Sequence, residues 1–319
     1  EGMDEGGRLY GQYDRVLRCL ERRLAASEAP RNRNMRARIR AAVRDELAPP
    51  EDADLSNHLA LLELSRDSQG RSRLLTTNFD TLFERAWLNE KGKTAISYAG
   101  MALPRPMSEG FSGVLHLHGR LADSLVDAVE TDLVLTSAEF GDAYLRSGWA
   151  SRYVYDLART HTLVLVGYQA DDPPMRYLLE ALEADREHYP DLRKVYAFGE
   201  CSEEDRDLME ALWRAKGIEP VLYQVDNGDH AALYDTLREW KSYARDPTAW
   251  RRERLRRLLV DDPAPSSEGH IDRCLELLDR GDASQLLGDM SPDAAWLPVM
   301  VQRGMFQKQL PDVWIANRV

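Results

Sequence analysis

Cysteine is scarce in this chain: three in 319 residues, Cys19, Cys201 and Cys274, with no CxxC spacing. That excludes a disulfide framework and a cysteine-rich zinc ribbon made by this chain, and it fits a reducing cytosol. Long hydrophobic runs are missing as well. The greasiest stretch, Thr162 to Gly167, has the length of a buried strand and falls far short of the roughly 20 residues that a membrane span needs. The first ten residues, EGMDEGGRLY, lack the basic-then-apolar pattern of a signal segment, so a cytoplasmic protein is expected. Both ends, at Glu1 and Val319, are expected to continue into something longer. Positive charge is not in excess: the net charge of −12 opposes general affinity for nucleic acid or an anionic membrane. No G-x-S-x-G segment occurs, so a Ser-His-Asp hydrolase is not expected.

What is present is the composition of a folded globular protein. Hydrophobic residues make up 43% and charged residues 30%, which excludes wholesale disorder. The length suits one large α/β domain with an appendage, or two domains.

Apolar residues recur at helical spacing from Leu9 to about Ala26, through Tyr10, Tyr13, Val16, Leu17 and Leu20. Arg31 to Leu47 reads as a second helix with six arginines on or near it. That is a solvated basic face or, alternatively, a phosphate or subunit contact. Pro49 and Pro50 stop it, and Leu55 to Leu64 begins another helix. Strands are expected at Arg73–Thr77, Val114–His118, Asp132–Thr136, Thr162–Val166, Lys194–Phe198 and Pro220–Val225. Helices are expected to follow, capped by Asp80 over TLFERAW, by Ser137 through Tyr144 and beyond, from about Pro174, and over His230–Tyr243. This alternation is the mark of a Rossmann-like, doubly wound, mainly parallel sheet, whose ligands sit at the carboxyl ends of the strands. Beyond Asp246–Pro247 the texture changes to a basic helix, a linker-like DDPAPSSEG and helical stripes. The expected division is therefore an α/β domain over 1–245 and an all-helical region over 246–319.

Function is expected at the strand ends, where polar clusters interrupt apolar runs: TTNFD at 76–80, HLHG at 116–119 and GYQADDP at 167–173. In this order, and at spacings of about 40 and 50 residues, they resemble the sirtuin family, specifically the bacterial sirtuin-like proteins of antiphage defence. The family's Thr-x-Asn-x-Asp is matched by Thr76, Asn78 and Asp80, its His-Gly by His118 and Gly119, and its third strand end by Gly167, Tyr168, Asp172 and Pro173. The resemblance covers roughly residues 8 to 243. It implies NAD as substrate, Asn78 and His118 as catalytic residues, and Thr77, Asn78, Asp80, Gly167 and Tyr168 as residues that hold NAD. It assigns His118 rather than His116, because the family's His directly precedes Gly.

Two departures carry weight. The family's Gly-Ala-Gly loop is absent, which is expected to reflect a missing start. The four-cysteine zinc module of deacylating sirtuins is absent too, since no cysteine lies between Cys19 and Cys201. Protein deacylation is thus disfavoured and no zinc is expected, whereas the NAD hydrolysis of the defence branch needs none.

The chemistry can be argued on its own terms. Cleaving nicotinamide from ribose gives an oxocarbenium-like transition state with a leaving group already activated by its positive charge. An uncharged amide such as Asn78 can donate to a ribose hydroxyl and accept from the attacking water. A histidine can take a proton near neutral pH, and a fixed carboxylate such as Asp80 favours the cationic transition state. Bland alternatives stand beside these roles. Asp80 also suits an N-cap, His116 a core hydrogen bond, Gly167 a strand-end turn, Tyr168 a packed aromatic, and Asp171–Asp172–Pro173 a helix start. His116 and His118, at i and i+2, have a spacing also used for metals, with His161 or His230 as conceivable further ligands, but no carboxylate pattern supports that.

The expectation is an NAD glycohydrolase that assembles as a homo-oligomer and is switched on by a phage protein or a companion defence protein. The rival expectation is a non-catalytic module that binds NAD or a nucleotide derivative and reports it to the helical region.

Overall fold

The computed structural model describes residues 13–27, 35–168, 170, 173–189, 192–225, 228–260, 263, 268–278, 286–288, 290 and 292–303. The chain divides into two compact units, Glu1–Arg238 and Glu239–Val319, so the break falls a few residues before the expected one.

In the first unit, helices α1 (Tyr13–Ser27), α2 (Met35–Leu47) and α3 (Ser56–Leu64) precede the strands. There follow β1 (Arg73–Thr76), α4 (Leu82–Lys91), β2 (Ser97–Ala99), β3 (Gly113–His116), α5 (Ser137–Gly141) and α6 (Trp149–Thr160). Then come β4 (Leu163–Leu165), α7 (Pro173–His188), β5 (Val195–Cys201), α8 (Arg206–Ala215), β6 (Ile218–Gln224) and α9 (Ala231–Arg245), the last crossing into the second unit. All strand pairs are parallel, as expected where helical crossovers return the chain to the same end of a sheet.

The expected single sheet is present as two, ordered β1-β3-β2 and β4-β5-β6. The edges of β1 and β4 share side-chain packing instead of a hydrogen-bonded ladder. Leu75 and Leu163 both rest on the cluster of Phe111, Leu115 and Leu157, and Arg73 Nη1 lies 3.3 Å from His161 Nε2. Among the described residues β4 pairs only with β5, so it is not the fully buried strand its composition suggests, and Val164 is 38% exposed.

Two further expectations are corrected. Asp132–Thr136 is not a strand: Leu133, Val134 and Leu135 are buried, but the segment runs as irregular backbone, with Val134 N–H donating to the carbonyl of His118. The helix after it is capped by Thr136, not Ser137, in a capping box with Glu139. It then loosens into a π-helical turn over Asp142–Arg146 instead of running straight through Tyr144. The short β2 had no sequence signal, since SYA is brief and follows Lys and Thr residues typical of a loop.

Gly119 ends the β3 segment with φ +94°, and an added Cβ would stand 2.3 Å from the carbonyl oxygen of Asp132. Gly119→Ala is therefore expected to cost about 2–4 kcal/mol, from left-handed strain plus a backbone clash. Denaturant melts check this, and a change below about 1 kcal/mol would contradict the close approach.

In the second unit, α10 (Pro247–Leu258), α11 (Glu268–Leu278) and a further helix, Trp296–Gln302, enclose their own core of Leu255, Leu259, Cys274, Leu278, Leu286, Met290, Trp296 and Met300. Among the described residues, no helix is long and apolar enough to cross a membrane.

Candidate active site

Strands β1 and β3 lie side by side with Thr76 opposite His116, so Asn78 and His118 follow at neighbouring strand ends. The loop between β1 and α4 is pinned at nearly every residue. Asn78 N–H donates to Thr76 Oγ1 (3.1 Å), and Leu121 N–H donates to the Phe79 carbonyl (2.8 Å). Leu82 N–H donates to Asp80 Oδ1 (3.1 Å), and the Thr81 hydroxyl donates to Asp123. The N-cap position of α4 is Thr81, not the expected Asp80, which takes the free Leu82 amide from one residue earlier. What the loop presents outward is Asn78, an exposed side chain whose amide has no hydrogen-bond partner among the described residues. Thr77 beside it is half-buried.

Asp80 borders a recess of about 160 Å³ lined also by Arg44, Pro49, Thr81, Arg85, Leu121 and Ser124. Its cations are engaged: Arg85 Nε donates to Asp123 Oδ2 (2.7 Å), and Arg44 pairs with Glu130. Burial pushes the Asp123 carboxyl up, but its bonds from Arg85, Thr81 and Leu125 N–H outweigh that and hold it below its ordinary value.

His118 is not an open cleft residue. It is 9% exposed, its Nε2 lies 2.7 Å from the Tyr144 hydroxyl, and its ring stands edge-on to Phe140 and Tyr144. Tyr144 is buried on the π-helical turn, and no sequence pattern singles it out as a partner of His118. A widened turn that meets a histidine far back along the chain is a tertiary feature, and no local pattern announces it. A hydroxyl can donate or accept, so Tyr144 can hold the imidazole before and after it takes a proton.

Gly167, at the end of β4, has φ +67° with open space around a would-be Cβ, which accounts for glycine by the turn alone. Tyr168 packs against the cluster that contains Leu117, Tyr144 and Met175. It thus touches the His118 side of the site through packing. Asp171 and Asp172 lie outside the described residues.

His116 is fully buried and bound at both nitrogens, Nδ1 to the Asn78 carbonyl (3.1 Å) and Nε2 to Glu84 Oε1 (2.8 Å). His161 and His230 lie elsewhere, against Arg73 and Tyr223. Among the described residues, no group of three or more His, Cys, Asp or Glu is placed to hold a metal.

Burial also pushes the Glu84 carboxyl up, yet the bond and charge of His116 and the Ser97 bond hold it below its ordinary value of 4.5. Glu84 binds protons less readily folded than unfolded. Its contribution to stability is therefore present above about pH 4.5 and lost as pH falls through the lowered value. Wild type is expected to lose stability on acidification below about pH 4.5, with Glu84→Gln showing a shallower loss in denaturant melts across that range. An equally steep loss in the variant would show that Glu84 does not drive it.

The site belongs to an α/β protein with parallel strands, and the candidate residues Asn78 and His118 follow neighbouring strand ends. Residues 72–221 match the SIR2-like domain family, which supports a sirtuin-like kinship and NAD-related activity for that stretch. The chain is 40% identical over 295 residues to the uncharacterized protein y4cA of Sinorhizobium fredii. That alignment covers 91% of this chain, and the chain spans only 24% of that relative's length.

Proposed function

We propose that the SIR2-like region is an NAD hydrolase that releases nicotinamide and ADP-ribose, acting in antiphage defence by depleting NAD. The observation that carries this reading is the pinned loop holding an exposed Asn78 at the strand end beside His118 with its Tyr144 partner. In the reaction, the bond from ribose C1′ to the pyridinium nitrogen breaks with its electron pair moving to that nitrogen, giving neutral nicotinamide. Water oxygen bonds to C1′, and its proton passes to His118. Asn78 holds the ribose hydroxyl and the water, and the Asp80 carboxylate favours the developing cation. Thr77, Gly167 and Tyr168 complete the NAD-holding set, and we read the two sheets as halves of a doubly wound arrangement around it. No step requires zinc.

The burial of His118 favours a second reading, a non-catalytic module that binds NAD or a related nucleotide. Incubating the full-length protein with NAD and measuring free nicotinamide separates the two. Binding without release would leave only the second.

Regulation by homo-oligomer formation, with a phage or companion defence protein as trigger, is part of the proposal. On the two basic helices, Arg40 pairs with Asp132 and Glu139, Arg44 with Glu130, Arg254 with Glu239, and Arg256 and Arg257 with Glu253.

A further inference from the structure

Strand β3 is the middle strand of its sheet, and its last position is fully buried. Such a position ordinarily takes an aliphatic side chain, because burying ionisable groups is costly even when they are paired. Here it holds His116, and the facing position on α4 holds Glu84, 2% exposed. Ser97 of β2 donates to Glu84 Oε1 and accepts from Arg120 Nη1 (2.6 Å), while that Arg120 nitrogen stands 3.8 Å from Oε1. Glu84 Oε2 has no partner among the described residues, so the cluster is not arranged to satisfy every buried atom.

Proton bookkeeping shows what the arrangement does accomplish. The Asn78 carbonyl only accepts, so His116 Nδ1 must carry a hydrogen. At 2.8 Å from a carboxyl oxygen, Nε2 must share a second hydrogen with Glu84, whichever of the two owns it. In either form the pair is net neutral. We propose that the Glu84–His116 pair is a positioning device for Asn78, fixing its backbone carbonyl from below so that the exposed amide is held in the orientation the reaction uses. Neutrality is part of the device. An uncompensated imidazolium under the site would oppose an oxocarbenium-like transition state, and Glu84 cancels that charge while keeping the N–H that ties down the loop.

This inference rests on the proposed hydrolase reading, and its test separates the two. The double variant His116→Leu/Glu84→Leu removes both charges and the donor to Asn78, a swap that commonly leaves stability unchanged or raised. The variant His116→Asn/Glu84→Gln removes the charges but keeps an N–H near the Nδ1 position. Nicotinamide release, NAD KM, thermal midpoint and amide exchange over residues 77–82 are compared with wild type. For the Leu pair we expect kcat lower by about 10–100-fold, KM within about threefold, an equal or higher midpoint, and exchange over 77–82 faster by about tenfold or more. The Asn/Gln pair restores most of both kcat and protection. Wild-type exchange over 77–82 in the Leu pair overturns the inference, as does a Leu pair that fails to fold, which would make the pair a requirement of the fold itself. If wild type releases no nicotinamide, the hydrolase reading fails, and the exchange data alone still decide whether His116 holds the Asn78 loop.

Discussion

Asn78→Ala is expected to lower nicotinamide release by roughly 10²–10³-fold while leaving the thermal midpoint within a degree or two of wild type. The asymmetry follows from where the residue spends its hydrogen bonds. Its backbone N–H and carbonyl are the parts that hold the loop, to Thr76 Oγ1 and His116 Nδ1, and both survive the substitution. The side chain is exposed and supports nothing in the core, so its removal leaves no cavity. A surface asparagine that cost most of the turnover and none of the stability would have to act on substrate. Turnover within about threefold of wild type would remove Asn78 from the chemistry and, with it, the main support for a hydrolase.

His118→Gln is expected to lower kcat by about 10²-fold or more, because an amide cannot take a proton from water near neutral pH. It keeps a polar atom within reach of Tyr144, so the fold should hold. His118→Ala is a poorer probe than the sequence suggests. The ring is buried against Phe140 and Tyr144, and deleting it removes the contact with the Tyr144 hydroxyl and opens a cavity, at about 2 kcal/mol or more. A glutamine variant that folds and retains near-wild-type turnover would show that His118 only packs and would favour the non-catalytic binding module. Steady-state assays beside denaturant melts supply both readings.

The sequence by itself determined where strands β1 and β3 run and which polar residues follow them. An asparagine and an aspartate directly after a short apolar strand, and a histidine before a glycine after another, stood out because they interrupt apolar runs. Parallel pairing also follows from strand–helix alternation, because each strand must return to the same end of its sheet. Local composition could not say which polar residues belong together. Glu84 is one charge on a helix of mixed character until α4 is laid on β3, when it becomes the partner of His116. Tyr144 lies 26 residues beyond His118 and meets it only because the segment from Leu133 to Thr136 folds back over β3 and α5 loosens into a wider turn. The same limit applies to exposure. TLVLV reads as a buried strand from hydrophobicity alone, but burial depends on neighbours on both edges, and among the described residues β4 has a strand on only one. Periodicity and turn chemistry are properties of contiguous residues and can be read along the chain. Hydrogen-bond partners, sheet edges and the depth of a histidine depend on contacts distant in sequence, and these only the tertiary structure decided.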